Sequence, residues 1–245
     1  MKQLFVDIGN TRVKWCLAVE GTIVERDQFV WNEDLLTDSL TEHWATLAIP
    51  DEILISNVAG ESVEKIIAIW CQSYWNKKVA FAKVTISSGG VTNSYADPSK
   101  LGIDRWLAML AAWDIRKGKV CIIDCGSAIT IDVLDAKGIH QGGMIAPGLA
   151  LSGRALTDHT HALQANDRQD YSVLADNTED AINSGCYHLF IGGVSHMVEK
   201  VQQAYGIDTT FIVTGGDAEY LLSELSVEMR YEPDLILRGL GLSSE

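Results

Sequence analysis

The sequence predicts an α/β chain built from two copies of one domain, and three observations lead there. Two short apolar segments, Leu4 to Val6 and Val120 to Ile123, each run into an acid and a glycine: Asp7-Ile8-Gly9-Asn10-Thr11 and Asp124-Cys125-Gly126-Ser127-Ala128. The offset from Asp7 to Asp124, 117 positions, carries Gly9 onto Gly126 and Gly21 onto Gly138 without gaps. In both halves short apolar runs then alternate with stretches of helical periodicity. A tandem duplication is the simplest origin of such a pattern.

Each element follows from local chemistry. Leu4 to Val6 is apolar on both sides, as in a strand buried in a sheet. Asp7 sits where that strand leaves the core. Gly9 lacks the Cβ that would keep an anion at a distance, and Asn10 and Thr11 add donors beside the backbone N–H groups of the turn. The stretch is an anion cradle with a carboxylate at its mouth. Val13 to Val19 and Thr130 to Leu134 fill the gap to the next glycine turn. Each half therefore opens strand, acidic turn, strand, tight turn, strand.

Further along, Leu35, Leu36, Leu40, Trp44 and Leu47 predict an amphipathic helix over 31–47, ended by Pro50. A buried strand at Ile53-Leu54-Ile55, a turn at 56–60, a helix over Glu61 to Trp75, a strand near Val79 to Ile86 and a polar loop at 87–90 come next. The segment Asn93 to Arg105 contains Pro98 and Gly102 and is expected to be irregular, leading into a helix over 106–116 closed by Gly118. Asp104 lies at or just before that helix start. One reading is an N-cap worth about 1 kcal/mol; the other is a general base, since the positive helix end keeps a carboxylate ionised.

The second half adds a glycine-rich turn at 142–148 before a helix containing Leu149 to Leu156. Asp176-Asn177-Thr178-Glu179 opens a long helix through Lys200, with Gly192-Gly193 inside it allowing close packing or a kink. Phe211-Ile212-Val213 is a buried strand running into Thr214-Gly215-Gly216, in the place that Ile53 to Gly60 holds in the first half. The expected domains are 1–117 and 118–245.

Composition narrows the partners. A net charge of −14 over 245 residues argues against nucleic acid or an anionic membrane surface. An anionic ligand must then be held by local donors, a metal ion and a few placed cations. The N-terminus enters the first strand almost at once, and no apolar run has membrane-spanning length, so a cytoplasmic protein is expected. Five cysteines, without a Cys-x-x-Cys pair, lie mostly in apolar stretches and are expected to be reduced core residues. Neither a P-loop nor a dinucleotide fingerprint is present. His159-Thr160-His161 lacks a third ligand nearby and is expected to be a pair of exposed histidines rather than a metal site.

Duplicated halves, each opening on an acidic glycine hairpin, resemble the acetate and sugar kinase, Hsp70 and actin superfamily. Within it the chain is similar to the type III pantothenate kinases over essentially its whole length. The matching motifs are Asp-Ile-Gly-Asn-Thr at 7–11, Tyr95…Pro98…Leu101-Gly102-x-Asp104-Arg105, Asp124-x-Gly-Ser-Ala-x-Thr130-x-Asp132, Gly142-Gly143-x-Ile145-x-Pro147-Gly148, Asn177-Thr178 and Thr214-Gly215-Gly216. Ser127 departs from the pattern, which more often has threonine there; the hydroxyl is kept.

The resemblance implies two ribonuclease-H-like (actin-like ATPase) domains with a nucleotide cleft between them, and ATP-dependent phosphorylation of pantothenate at the entry to coenzyme A synthesis. It implies that Asp7, Ile8, Gly9, Asn10, Thr11, Arg12, Val13 and Lys14 wrap the nucleotide phosphates, with Asp7 holding Mg²⁺ through water, and that Ser127 serves the same phosphates. Asp124 would hold a monovalent cation, K⁺ or NH₄⁺. Asp104 would take the proton of the attacking hydroxyl, while Tyr95, Gly102, Ile103, Asp104, Arg105 and Thr178 would line the pantothenate pocket of a homodimer. A different small-molecule kinase or phosphohydrolase on the same fold, and a non-catalytic regulatory protein, are the alternatives.

Overall fold

The computed structural model describes residues 1–157 and 171–243, so the His159–His161 expectation lies outside the described residues. The chain divides into two compact units, Met1–Ile115 with Asp234–Glu245, and Arg116–Pro233.

The first unit opens with β1 (Lys2–Ile8), β2 (Arg12–Val19) and β3 (Thr22–Val30), an antiparallel meander. It continues through α1 (Leu36–Trp44), β4 (Glu52–Asn57), α2 (Glu61–Trp75) and the two-residue strand β5 (Ala80–Phe81). The five-stranded sheet has the order β3-β2-β1-β4-β5, with β4 and β5 parallel to β1. A small hairpin, β6 (Ser87–Ser88) and β7 (Val91–Thr92), precedes α3 (Ile103–Ile115).

Alternation along the strands sorts their two faces. Leu4, Val6, Ile8, Val13, Trp15, Ile53 and Ile55 share a core with Leu36, Leu40 and Trp44 of α1 and Val63, Ile67 and Trp70 of α2. Trp44 is fully buried, and Trp70 and Trp75 pack edge-on and stacked against it. Phe5, Asp7, Lys14, Cys16 and Ser56 therefore occupy the opposite face. That face carries α3 and the last helix of the chain.

Three expectations are corrected in this unit. The helix expected over 31–47 is α1 preceded by a short 3₁₀ turn, Glu33–Leu35, because the Asn32 side chain accepts from the Leu35 N–H and starts the turn there. The strand expected over Val79 to Ile86 is reduced to β5, whose ladder with β4 pairs only Ala80 with Leu54 and Phe81 with Ile55, the Ala82 N–H still donating to the Ile55 carbonyl at 2.9 Å. α3 begins at Ile103, so Asp104 lies inside the first turn rather than capping it.

The second unit repeats the plan with β8 (Val120–Cys125), β9 (Ala128–Leu134), β10 (His140–Pro147), α4 (Leu149–Thr157), α5 (Thr178–Tyr205), β11 (Thr210–Thr214), α6 (Ala218–Glu224) and β12 (Met229–Tyr231). Its sheet order, β10-β9-β8-β11-β12, is that of the first unit. The two hairpins differ by one residue. Asp7 pairs with Lys14 but Asp124 pairs with Thr130, so the gap-free offset shifts at the second acidic turn. Gly21 and Gly138, both at positive φ, restore it at the next turn. Gly142-Gly143, expected to form a turn, lies inside β10. The ladder is irregular between His140 and Gly143, with Gly142 at φ +101°, a β-bulge that glycine allows. Gly192 and Gly193 are exposed in α5 and a Cβ on either meets nothing within 4 Å, so neither serves close packing among the described residues.

The expected division into 1–117 and 118–245 places the chain's end with the second half, whereas α7 (Leu235–Ser243) packs on α3 and β1 of the first unit. Gly239 lies against the Leu107 backbone of α3, Arg26 of β3 pairs with Asp234, and Arg238 donates to Asp114 at 2.8 Å. The sequence contains no local sign of this return, which depends on a surface assembled from α3 and β1.

Candidate active site

The first acidic turn is a tight three-residue connection, Gly9 to Thr11. The Gly9 N–H donates to the Arg12 carbonyl at 3.0 Å. Trp31, read from sequence as the start of a helix, braces it instead: its ring N–H donates to the Gly9 carbonyl at 2.9 Å, and its backbone N–H to the Thr11 carbonyl at 3.4 Å. Ile8 and Val13 bury their side chains completely in the core, leaving only their backbone for a ligand. Asn10 and Arg12 are exposed, while Gly9, Thr11 and Lys14 are half-buried. Asp7 is 8% exposed and lies between Lys14 on β2 and Ser56 on β4, both directly beside it in the ladder. Paired residues of a ladder project to the same face.

The loop before α3 is tied by Asn93, whose Oδ1 accepts from the Tyr95 N–H at 2.9 Å. Arg105 is buried, and its Nη1 donates to the Tyr95 hydroxyl at 3.0 Å with the guanidinium 5.7 Å from the ring centroid. The Asp104 carboxylate accepts from the Arg105 N–H at 2.8 Å, in the positive end of α3. A side chain on Gly102 would fall 2.5 Å from Asp104 Oδ1, so glycine there leaves the carboxylate its room. Tyr95, Gly102, Ile103, Asp104 and Arg105 are thus one contiguous cluster. Thr178 belongs to the other unit, at the first residue of α5, where Asn177 caps the helix by accepting from the Asp180 N–H at 2.9 Å.

In the second unit three glycine turns converge on one hairpin. The Gly126 N–H donates to the Ala128 carbonyl at 3.1 Å, and the Gly148 N–H at the start of α4 donates to the Ser127 carbonyl at 3.0 Å. A Cβ on Gly148 would fall 2.7 Å from the Ser127 carbonyl oxygen, and one on Gly215 would fall 2.6 Å from the Cys125 nitrogen. Gly215 also has φ +96°, so both its conformation and its surroundings demand glycine. The Asp217 N–H donates to the Cys125 carbonyl at 3.1 Å, binding the turn after β11 to the acidic turn. Asp124 is flanked in the ladder by Thr130 and Thr214, and Ser127 is exposed at the tip.

Cys125 sits inside this turn and is not a nucleophile. All five cysteines are buried free thiols. Burial pushes Cys16 and Cys71 up to about 12, and pushes Cys121 and Cys125 higher still, Cys125 with help from the charges of Asp124 and Asp217. At neutral pH these groups remain thiols.

Two sheets of one plan, each with a braced acidic glycine hairpin, are the architecture of the actin-like ATPases and sugar kinases. MreB 5 of Spiroplasma citri, solved with AMPPNP, shares the fold with a TM-score of 0.53 at 8% identity, over 98% of this chain and 95% of that one. A Campylobacter jejuni protein named for the Baf family of transcriptional activators shares it with a TM-score of 0.58 at 23% identity, over 98% and 96%. Such identities establish the fold alone. The family itself follows from sequence: the model for type III pantothenate kinases matches residues 3–200. A type III pantothenate kinase of Nitrosococcus oceani is 36% identical over 97% of this chain and 92% of its own length. The chain belongs to the type III pantothenate kinase family.

Proposed function

We propose that this protein transfers the γ-phosphoryl group of ATP to the primary hydroxyl of pantothenate, giving 4'-phosphopantothenate, the first step of coenzyme A biosynthesis. The observation that carries the proposal is the Tyr95–Arg105 cluster, which adds an acceptor specificity element to phosphate turns that the whole superfamily shares. Asp104 lies in the first turn of α3 and accepts a backbone N–H at 2.8 Å, and both the helix end and that bond favour the charged form that a base needs.

In this reading the bond between the γ-phosphorus and the bridging oxygen of ATP breaks as the pantothenate oxygen bonds to phosphorus. The hydroxyl proton passes to Asp104. Such a transfer needs charge neutralisation and alignment more than covalent help. The turn from Asp7 to Lys14 offers backbone donors and one ammonium to the phosphates, and Arg105 is placed for a polar or carboxylate contact with the acceptor. The donor set fits hard cations: Asp7 lies beside a hydroxyl, and Asp124 lies between Thr130 and Thr214. Mg²⁺ at Asp7 and a monovalent cation at Asp124 would supply positive charge that a protein of net charge −14 otherwise lacks. Ser127, exposed at the second turn, is assigned to the phosphates.

The test is ADP release from Mg·ATP with and without pantothenate, in potassium and in sodium buffer, with the product mass confirmed. Turnover that requires pantothenate and rises with potassium is expected. Absence of turnover in both buffers would overturn the kinase reading, and equal rates in the two would overturn the cation role of Asp124.

A cytoplasmic homodimer belongs to the same proposal. No helix among the described residues is long and apolar enough to cross a membrane. α5 turns Gly185, Leu189, Gly192 and Gly193 outward, with Leu189 77% exposed. An apolar side chain flanked by glycines suits close approach of a second copy. Light scattering is expected to read twice the 26.8 kDa chain mass, and Leu189→Glu to shift it towards one chain. A wild-type reading of one chain would refute the dimer.

A further inference from the structure

Ser56 ends the apolar run Ile53-Leu54-Ile55 on β4, where the sequence marks only the beginning of a turn. The structure places it directly beside Asp7 in the parallel ladder, opposite the position of Lys14 on β2. Adjacent strands lie about 4.8 Å apart, and paired residues project to the same face, so the Ser56 hydroxyl and the Asp7 carboxylate are neighbours. Ser56 is fully buried, and its Oγ has no hydrogen-bond partner among the described residues.

A buried hydroxyl without an acceptor is a net liability to a folded chain. An alanine would fill nearly the same volume without that cost. The backbone around it is held firmly. The Asn57 side chain accepts from the Ala59 N–H at 2.9 Å and donates to the Gly60 carbonyl at 2.9 Å, and the Val58 N–H donates to the Ile8 carbonyl at 3.1 Å. The second unit has the same arrangement. Thr214, 2% exposed, sits beside Asp124 in the equivalent ladder. Each acidic turn therefore has a buried hydroxyl on the neighbouring parallel strand.

We infer that Ser56 is a positioning residue for Asp7, its hydroxyl donating to the Asp7 carboxylate once Mg·ATP is bound and holding it in the orientation that a hydrated cation requires. A hydroxyl rotates about one bond, so the free chain can leave it idle and the loaded chain can use it without moving backbone. Donation to the carboxylate also favours its charged form. The inference rests on the proposed function for the choice of nucleotide and for the role of Asp7 toward the cation.

The test compares wild type with Ser56→Ala and Ser56→Thr. The measurements are calorimetric binding of Mg·AMPPNP, the melting temperature of the free protein, and KM for Mg·ATP and for pantothenate. Ser56→Ala is expected to weaken Mg·AMPPNP binding by about ten- to a hundredfold, as loss of a hydrogen bond to a charged group does. It is expected to raise KM for Mg·ATP while leaving KM for pantothenate unchanged, and to keep or raise the melting temperature. Ser56→Thr, which restores the hydroxyl in the form found at Thr214, is expected to recover most of the binding. Wild-type binding by Ser56→Ala would overturn the inference, with or without a lower melting temperature. Wild-type protein that binds Mg·AMPPNP but does not phosphorylate pantothenate would overturn the kinase reading and leave the role of Ser56 standing on the binding data.

Discussion

Asp104→Asn is expected to lower turnover by about 10²–10⁴-fold, with KM for ATP and pantothenate changed little. Asparagine has nearly the shape of aspartate, and its Oδ1 can still accept from the Arg105 N–H as Asp104 does at 2.8 Å. The start of α3 therefore persists, and with it the Arg105 to Tyr95 hydrogen bond. What the variant would lose, under the proposed role of Asp104, is the capacity to take a proton from a hydroxyl in the transition state. Steady-state rates beside a melting curve separate this from a structural role. A base predicts lost kcat at an unchanged melting temperature. Full turnover combined with a lower melting temperature would reduce Asp104 to a stabiliser of the helix end.

The second large effect is on stability. Gly239→Ala costs about 3 kcal/mol or more and lowers the melting temperature by about 6–12 °C. A Cβ at this position would overlap the Leu107 carbonyl oxygen and come within 2.6 Å of its carbon and 2.9 Å of the Leu107 Cα. These are backbone atoms in the middle of α3, which no side-chain rotation can relieve, so α7 must move away. Its seat includes Phe5, whose ring lies 3.6 Å from where a Gly241 Cβ would sit. Calorimetric melting measures the loss. Because α3 carries Asp104, turnover is expected to fall as well. A melting temperature equal to wild type would show that the two helices do not touch this closely.

Much of the local structure around the candidate site was legible because its signals are local. An apolar run, an acid and a glycine in five residues define each cradle, and these patterns reappear as the hairpins at Asp7 and Asp124. The helix expected over Glu61 to Trp75 has those bounds in the structure. Its apolar spacing buries Val63, Ile67, Trp70 and Cys71 along one side, and its C-terminal Asn76 adopts the left-handed conformation that ends a helix. Expectations failed where a long-range partner decides. Val79 to Ile86 has strand-forming residues, but only Ala80 and Phe81 pair with β4, because strand propensity acts through cross-strand partners rather than through the local sequence alone. Gly142-Gly143 looks like a turn, yet pairing with β9 draws it into a bulged strand. Trp31 has the composition of a helix start but is used to brace a loop formed 20 residues earlier in the chain.

By itself the sequence determined the duplicated acidic hairpins, the irregular segment from Asn93 to Gly102 and the family to which they belong, since turn glycines, apolar periodicity and charged strand ends act within a few residues. Only the tertiary structure decided that the chain's last helix returns to the first unit, that Asp104 lies within α3, and that Ser56 stands beside Asp7. Those facts depend on strand register and on close approach between helix backbones. Both are set by packing between segments far apart in the chain, which no local pattern encodes.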